Sequence, residues 1–443
     1  MSRLSSRLFS SSSSSSSASS LSPSSPGFWR SPLRGPWFTS VLGVVLLLGI
    51  TVLFLTGLLS YAAYNPDLSP VNDKTPDKGL LGFYLFPWPT RPSWLYRLTQ
   101  GVHVTLGVTL IPVLLAKLWS VVPKLFALPP ARSLAHALER LSLLLLVGGA
   151  LFEFTTGVLN VQLDYVFPGS FYPLHFYGAW VFFAAFVAHA VLRVPAAVRN
   201  LREMRAGSPQ EAAEAEGSLV SPRPAGATVS RRGALWFVGG GSLLLFATTV
   251  GRSFDGPLRR TALLAPHGGA DPGSGPGGFQ INKTAASRGI SAAETSDEAW
   301  RLVVEGPRGR TVRLSRAQLL ELPQHEAGLP IACVEGWSTS DQAWRGVRLR
   351  DLAALVGYEA GSAPGVLVES LQRRGSFRRA ALRANQVRDP RALLALDVNG
   401  APLTPDHGYP ARIIVPALPG VLNTKWVSRL TFGDPAGQGR GGL

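Results

Sequence analysis

The sequence predicts a multidomain membrane protein: an all-α bundle of four transmembrane helices with a fifth as anchor, followed by a mixed α/β domain. Three observations predict it. Five apolar stretches fall at Phe38 to Ala63, Leu98 to Leu118, Leu141 to Leu163, Phe171 to Leu192 and Gly233 to Val250. The first four approach the roughly 20 residues a helix needs to cross hydrocarbon, and the fifth is the shortest. The composition is 46% hydrophobic with a positive mean hydropathy, in a chain of 443 residues, too long for one ordinary domain. From Phe279 onward the composition turns globular, with "RLVVEG", "GVLVES" and "ARIIVPA" reading as strands and "SRAQLLEL" and "LRDLAALVG" as short helices.

Taken in order, residues 1–36 are a serine-rich tail with too little apolar surface to repay ordering, predicted disordered and cytoplasmic. The tail has no short apolar core, so it is not a cleaved signal peptide. Residues 37–196 form the four-helix membrane domain, 197–232 a cytoplasmic linker and 233–251 the fifth helix. Residues 252–278, with "PHGGADPGSGPGG", read as a flexible linker. Residues 279–433 are the α/β domain, in which Ser315 caps the first short helix and Gly357 ends the second, and 434–443 are a tail. No internal repeat is expected.

Arginines decide orientation. Arg30 and Arg34 precede the first helix, Lys117, Lys124, Arg132 and Arg140 bracket the second connection, and Arg193, Arg199, Arg202, Arg205, Arg231 and Arg232 fill the fourth. Residues 64–97 instead mix Asp67, Asp73 and Asp77 with a few bases, and 164–170 carry Asp164 alone. The positive-inside rule then puts the N-terminus in the cytoplasm and, after five crossings, the α/β domain outside it, with lipid as the bundle's partner. The net charge of +16 has the same origin, and without a basic helix or an aromatic-interleaved patch it does not indicate nucleic acid. With one cysteine, no intrachain disulfide can form.

Four of the seven histidines lie in the membrane half: His103, His136, His175 and His189. Their depths pair His103 with His175 near the outer face and His136 with His189 near the cytoplasmic face. On the fourth helix, His175 and His189 are 14 residues apart, roughly 21 Å of rise with a mismatch near 40°, so both rings point into the bundle. Two histidines at each of two depths suit two stacked b-type haems between facing helices; hydrogen-bonded or interfacial histidines are the alternative. Glu153 is the acid inside the third stretch, suited to proton or quinone chemistry or else protonated or hydrogen-bonded within the bundle. "SRRGAL" at Ser230 to Leu235 is similar to a twin-arginine export signal, which implies the twin-arginine export machinery as a partner and a cofactor loaded before export. Two positive-inside arginines would look the same.

The single cysteine, Cys333, stands in "CVEGW", a Gly/Trp-bearing turn. A thiolate there is a ligand for a soft or high-valent metal, while spacing alone equally allows a small apolar filler.

The histidine pattern over about residues 37–196 resembles membrane cytochrome b subunits of the cytochrome b561 and hydrogenase or formate dehydrogenase type, which implies electron exchange with a quinone pool. "CVEGW" with "WRGVRLRDLAALVG", then "LALDVNGAPLTPDHGYPARIIVPALPGVLNTKWVSRLTF" at 394–432, resembles the molybdopterin-binding domain of the sulfite oxidase family. The cysteine-valine-glutamate context is most similar to the bacterial periplasmic methionine sulfoxide reductase branch. The resemblance implies that Cys333 binds molybdenum, that Asn282, His407, Arg412, Lys425 and Trp426 hold the pyranopterin, and that Trp337 and Tyr409 line the substrate pocket, with core packing the alternative for each of these two. Arginine and lysine suit its phosphate, and histidine its polar atoms. Sulfite oxidases carry an arginine just before the asparagine; here Ile281 stands there, which puts an anion site in doubt. The chain also stops shortly after this domain, so the family's immunoglobulin-like dimerisation domain, and its dimer, are not expected.

The expectation is a membrane-bound molybdenum oxidoreductase of the bacterial cytoplasmic membrane, reducing an S-oxide or N-oxide such as methionine sulfoxide with electrons from quinol through haem. A dehydrogenase feeding quinone, a binding or assembly protein that has lost its cofactor, and a haem reductase with a non-catalytic outer domain are the rivals.

Overall fold

The computed structural model describes residues 33–69, 71–72, 75–76, 86–125, 133–161, 171–205, 229–254, 256–264 and 279–435. Five long helices form in the first part: α1 (Pro36–Ala63), α2 (Leu95–Leu125), α3 (Leu134–Asn160), α4 (Tyr172–Arg205) and α5 (Arg231–Val250). All five are long and apolar enough to cross a membrane. Continuous helix is what such a segment requires, because hydrocarbon offers no partner for a free N–H or C=O. Starts are marked by Pro36 in the first turn of α1 and by Ser230, whose hydroxyl accepts from Gly233 N at 3.0 Å. α1 packs on α2 and α4, α3 on α4 and α2, and α5 lies along α2. Phe38, Leu46, Ile50, Leu114 and Phe182 fill the bundle, while Leu48, Leu144, Phe237 and Leu243 face outward, as lipid requires.

Three sequence boundaries are corrected. α4 continues through Pro195 to Arg205, so helix occupies the start of the predicted linker. "SRRGAL" is the N-cap and first turn of α5. Residues 251–261 fold into two short turns, Gly251–Ser253 and Gly256–Thr261, with Arg252 and Arg259 buried, where a flexible linker was expected from 252. The serine-rich tail up to residue 32, residues 206–228, the Gly/Pro-rich stretch at 265–278 and residues 436–443 lie outside the described residues.

The α/β domain holds two five-stranded sheets. The first runs β2 (Thr311–Leu314), β1 (Leu302–Glu305), β10 (Val427–Gly433), β5 (Gly365–Ser370), β6 (Arg379–Leu382), with β1 and β10 parallel and the other pairs antiparallel. The second runs β3 (His325–Leu329), β4 (Gln342–Arg348), β7 (Leu393–Val398), β8 (Ala401–Pro402), with β9 (Arg412–Ile414) also on β7. Ser315 and Gln318 cap α6 (Arg316–Glu321) reciprocally, and Gly357, at φ +97°, follows α7 (Leu349–Leu355). α8 (Ala384–Arg388) completes the set. Leu302, Val304, Leu352, Val366 and Leu396 anchor one core, Phe279, Leu329 and Trp344 the other.

This domain sits on the end of the bundle where α1 and α5 finish and α2 and α4 begin. Ala62, Ala63, Trp88 and Tyr96 belong to the same buried cluster as the first core. Trp88 Nε1 donates to Ala417 O at 2.7 Å, Asn65 Nδ2 to Ala381 O at 3.3 Å, and Ala381 N to Asn72 Oδ1 at 2.6 Å. Residues on both sides of the α1–α2 connection are thus part of the contact, on the same side as the α/β domain.

Candidate active site between the bundle and the α/β domain

Beyond β3 the chain turns sharply at Cys333 to Ser338. Cys333 N donates to Trp337 O at 2.8 Å and Gly336 N to Cys333 O at 3.1 Å, with Gly336 at φ +86°. This left-handed conformation favours glycine. The Cys333 thiol is 6% exposed, and Asn282 Nδ2 donates to its Sγ at 3.0 Å and to Glu335 Oε2 at 3.3 Å. Burial, reinforced by the charge of Glu335, pushes the thiol pKa up, so a cationic ligand is what would hold it as thiolate.

A second group gathers around the turn at 404–408 and β9. His407 is buried, Nδ1 2.7 Å from Thr404 Oγ1 and Nε2 2.9 Å from Phe279 O, which pins the segment leading to Asn282. Arg412, 2% exposed, donates to His407 O at 3.0 Å and Asn423 O at 3.3 Å, and its Nε has no hydrogen-bond partner. Lys425 Nζ donates to the carbonyls of Lys283 at 3.0 Å and Asp406 at 2.7 Å, 5.3 Å over the ring of Trp426. Burial lowers the pKa of Arg412 to about 9 and that of Lys425 well below its ordinary value. Two desolvated cations bonded to carbonyls, one with an orphaned N–H, fit an anionic group such as a phosphate.

One cavity of about 560 Å³ joins the two halves. Asn282, Lys283, Arg288, Cys333, Glu335 and Phe377 line it from the α/β domain, and His103, Glu153 and His175 from the bundle. The His103 and His175 rings are 6.2 Å apart between centroids, almost perpendicular at 87°. His103 Nδ1 donates to Leu53 O at 3.0 Å and lies 3.1 Å from Thr56 Oγ1; His175 Nδ1 lies 2.9 Å from Thr156 Oγ1 and 3.1 Å from Glu153 Oε2. A proton on Nδ1 leaves the Nε2 lone pair of each ring free. Each ring also packs over a glycine of the neighbouring helix: a Cβ on Gly57 would stand 3.2 Å from His103 Cε1, and one on Gly157 3.4 Å from His175 Cε1. The residues responsible, "FLTG" at 54–57 and "FTTG" at 154–157, are a short internal repeat that the sequence reading missed.

Of the predicted residues, the cavity brings together Cys333, Asn282, His103 and His175, with His407, Arg412, Lys425 and Trp426 one layer behind Lys283. Trp337 stands behind the cavity wall, its Nε1 bonded to Glu335 Oε2 at 2.8 Å. Tyr409 does not line the cavity: its hydroxyl donates to Asp297 Oδ1 at 2.9 Å and its ring lies under Arg316. Its neighbours in the sequence motif say nothing of side-chain direction. His136 stands in the first turn of α3 with its side chain outside the described set, and His189 is half-buried on α4. Ile281 is half-buried, yet Lys283 and Arg288 bring positive charge to the cavity that holds Cys333.

Residues 290–440 match the family described as the oxidoreductase molybdopterin binding domain. The α/β domain is a molybdopterin-binding oxidoreductase domain with sulfite oxidase homologues. Mouse (Mus musculus) mitochondrial sulfite oxidase is 33% identical over 152 residues, 29% of this chain and 28% of that one. The uncharacterised oxidoreductase YuiH of Bacillus subtilis is 32% identical over 133 residues, 30% of this chain and 65% of its own. Nitrate reductase [NAD(P)H] of barley (Hordeum vulgare) is 38% identical over 100 residues, 20% of this chain and 11% of that one. The chain thus spans little more than a quarter of the mouse sulfite oxidase it matches. Cys333, Asn282, His407, Arg412, Lys425 and Trp426 all lie in or beside the matched domain, and the orphaned Arg412 Nε makes its cationic pocket fit for the phosphate of a molybdopterin.

Proposed function

We propose that the chain is a membrane-bound molybdopterin oxidoreductase that exchanges electrons between the quinone pool and an extracytoplasmic substrate through b-type haem. The observation that carries this reading is the cavity lined by His103 and His175 from the bundle and by Cys333 from the α/β domain. His103 and His175 would hold the iron between them, and the 6.2 Å between their ring centroids supports this reading. Thr56, Leu53, Thr156 and Glu153 fix both rings through Nδ1, the usual outer contact of a ligating histidine. His136 and His189, toward the other end of the bundle, are proposed for a second haem.

In the α/β domain Cys333 would bind molybdenum, Asn282 would hold the sulfur in place, and Arg412 and Lys425 would take the pterin phosphate. Bound molybdopterin supplies two-electron oxygen-atom chemistry. The chain's own residues orient it, exclude water around the buried Cys333 turn and keep both redox sites within one enclosure. The cysteine-valine-glutamate context favours reduction of an S-oxide or N-oxide such as methionine sulfoxide, after export in folded form through the signal at the start of α5.

A second reading has a specific observation in its favour. Lys283 and Arg288 supply at the cavity the positive charge that Ile281 does not, which suits an oxyanion such as sulfite donating electrons toward quinone. The test is the haem absorbance of the purified protein. Reoxidation of quinol-reduced haem by methionine sulfoxide supports the reductase; reduction of oxidised haem by sulfite supports the dehydrogenase. A purified chain without haem or molybdenum refutes both.

A further inference from the structure

The turn that carries Cys333 is completed by the membrane-spanning half. Gln100 on α2 donates its side-chain amide to Val334 O. Ser253, just after α5, donates its hydroxyl to Gly336 O at 3.1 Å. Arg259 Nη2 donates to Ser338 O at 2.5 Å, and Ser338 N donates to Arg252 O at 3.3 Å. Arg97 ties α2 to this same segment, its Nε donating to Ser253 O at 3.1 Å. Three successive alternate carbonyls of the turn, at Val334, Gly336 and Ser338, therefore find their donors outside the α/β domain. Buried backbone carbonyls need such partners, and their loss would leave the turn to solvent or disorder.

Packing follows the same line. Val104 of α2 closes so tightly over Gly336 that a Cβ there would lie 2.8 Å from Val104 Cβ. The Arg252 side chain, 2% exposed, stands against the same glycine, with Nε and Nη2 lacking hydrogen-bond partners and its charge facing Glu335 and Cys333. Within the α/β domain, Asn282 Nδ2 donates to Cys333 Sγ, and Glu335 lies beside the thiol.

We propose that Gln100, Arg252, Ser253 and Arg259 are positioning residues that hold the Cys333 turn in its ligating shape, so that α2 and the end of α5 are working parts of the outer site as well as anchors. The catalytic consequence rests on Cys333 being the molybdenum ligand; the brace itself does not. It makes the segment after α5 part of the site and couples docking on the bundle to the readiness of the thiol.

The single cysteine makes the test site-specific. In the full-length chain, purified without cofactor, maleimide labelling reports Cys333 alone, and amide exchange over residues 333–338 reports the turn. Gln100→Ala and Ser253→Ala are each expected to speed both by about five-fold, with the double variant faster still and Ser253→Thr restoring protection. Far-ultraviolet circular dichroism checks that the helices are intact, and Gln100→Leu provides a second variant should Ser253→Ala not fold. Unchanged labelling and exchange in the folded double variant overturn the proposal. A wild-type chain that never acquires molybdenum, yet whose turn loosens in Ser253→Ala, refutes the cofactor reading and leaves the brace standing. In molybdenum-loaded protein, an altered Mo(V) electron paramagnetic resonance signal in the double variant supports the brace acting on the metal site; an identical signal overturns that part.

Discussion

In the bundle, His103 and His175 meet in a largely apolar cavity and each commits its Nδ1 to an oxygen of the neighbouring helix. In the α/β domain, the buried Arg412 and the half-buried Lys425 donate to backbone carbonyls, which do not neutralise their charge. The first arrangement presents neutral lone pairs and suits a metal in an apolar macrocycle; the second presents unspent positive charge and suits a phosphate. The two regions are therefore prepared for different groups, and the difference can be broken or sharpened by experiment.

The largest effect expected is a clean separation of cofactors. Cys333→Ser should abolish turnover and molybdenum binding and leave the spectrum of the proposed haem intact, whereas His175→Ala should remove the haem proposed between His103 and His175 and leave pterin bound. Metal analysis and absorbance spectra check both. Loss of both groups in either variant would mean that the two regions are not independent sites.

Next in size is Gly336→Ala. It forces an alanine into φ +86° and drives its Cβ to 2.8 Å from Val104. Left-handed strain of roughly 1 to 2 kcal/mol and overpacking of roughly 1 to 3 kcal/mol should add, lowering the thermal midpoint of the α/β domain by several degrees or more. Scanning calorimetry checks it, and an unchanged midpoint would place the turn away from α2.

How much of this was legible in the sequence differs between the regions for a physical reason. The five helices were readable because a crossing segment must be apolar over its whole length, and His103 and His175 were paired in depth from their places near the starts of two helices that the loop charges make run the same way. Strands and caps, such as Ser315 with Gln318, were readable because their signals are local. Contacts between distant segments were not: nothing near Ser253 announces Gly336, and glycine and proline in 252–278 disguised the docked arginines Arg252 and Arg259 as linker. The repeated Thr-Gly at 56–57 and 156–157 was present in the sequence, but its meaning needs the imidazoles that pack on it. Tyr409 is the converse case, a motif position whose side chain bonds Asp297 and does not line the cavity.

Arg412→Met sharpens the contrast through charge. In the cofactor-free protein the change removes a buried cation whose Nε is orphaned, so stability should fall little or rise. Cofactor affinity should instead drop by roughly 10- to 150-fold, the equivalent of a charge-assisted hydrogen bond worth about 1.5 to 3 kcal/mol. The linkage has a definite sign. Burial lowers the Arg412 pKa from its ordinary value to about 9, so from about pH 9 upward the unfolded chain binds the extra proton and cofactor-free stability rises with pH. Denaturant titrations across that window should show the rise in wild type and a smaller one in Arg412→Met.

The smallest effect compares the two imidazoles with each other. Thr56→Val removes one oxygen from His103, which still has the Leu53 carbonyl at 3.0 Å; Thr156→Val removes one from His175, which keeps the Glu153 carboxylate at 3.1 Å. Each change deletes a neutral bond worth about 1 kcal/mol, so haem retention should fall by no more than about ten-fold in either variant. The remaining partners differ in kind, and an ionised Glu153 would raise the basicity of His175 more than the Leu53 carbonyl raises that of His103. Thr156→Val should therefore shift the haem midpoint potential downward as Glu153 becomes the sole acceptor of the His175 Nδ1 proton, while Thr56→Val leaves it nearly unchanged. Spectroelectrochemical titration distinguishes the two, and equal shifts would show that the repeated Thr-Gly frames are equivalent and that Glu153 adds nothing to the ligand it touches.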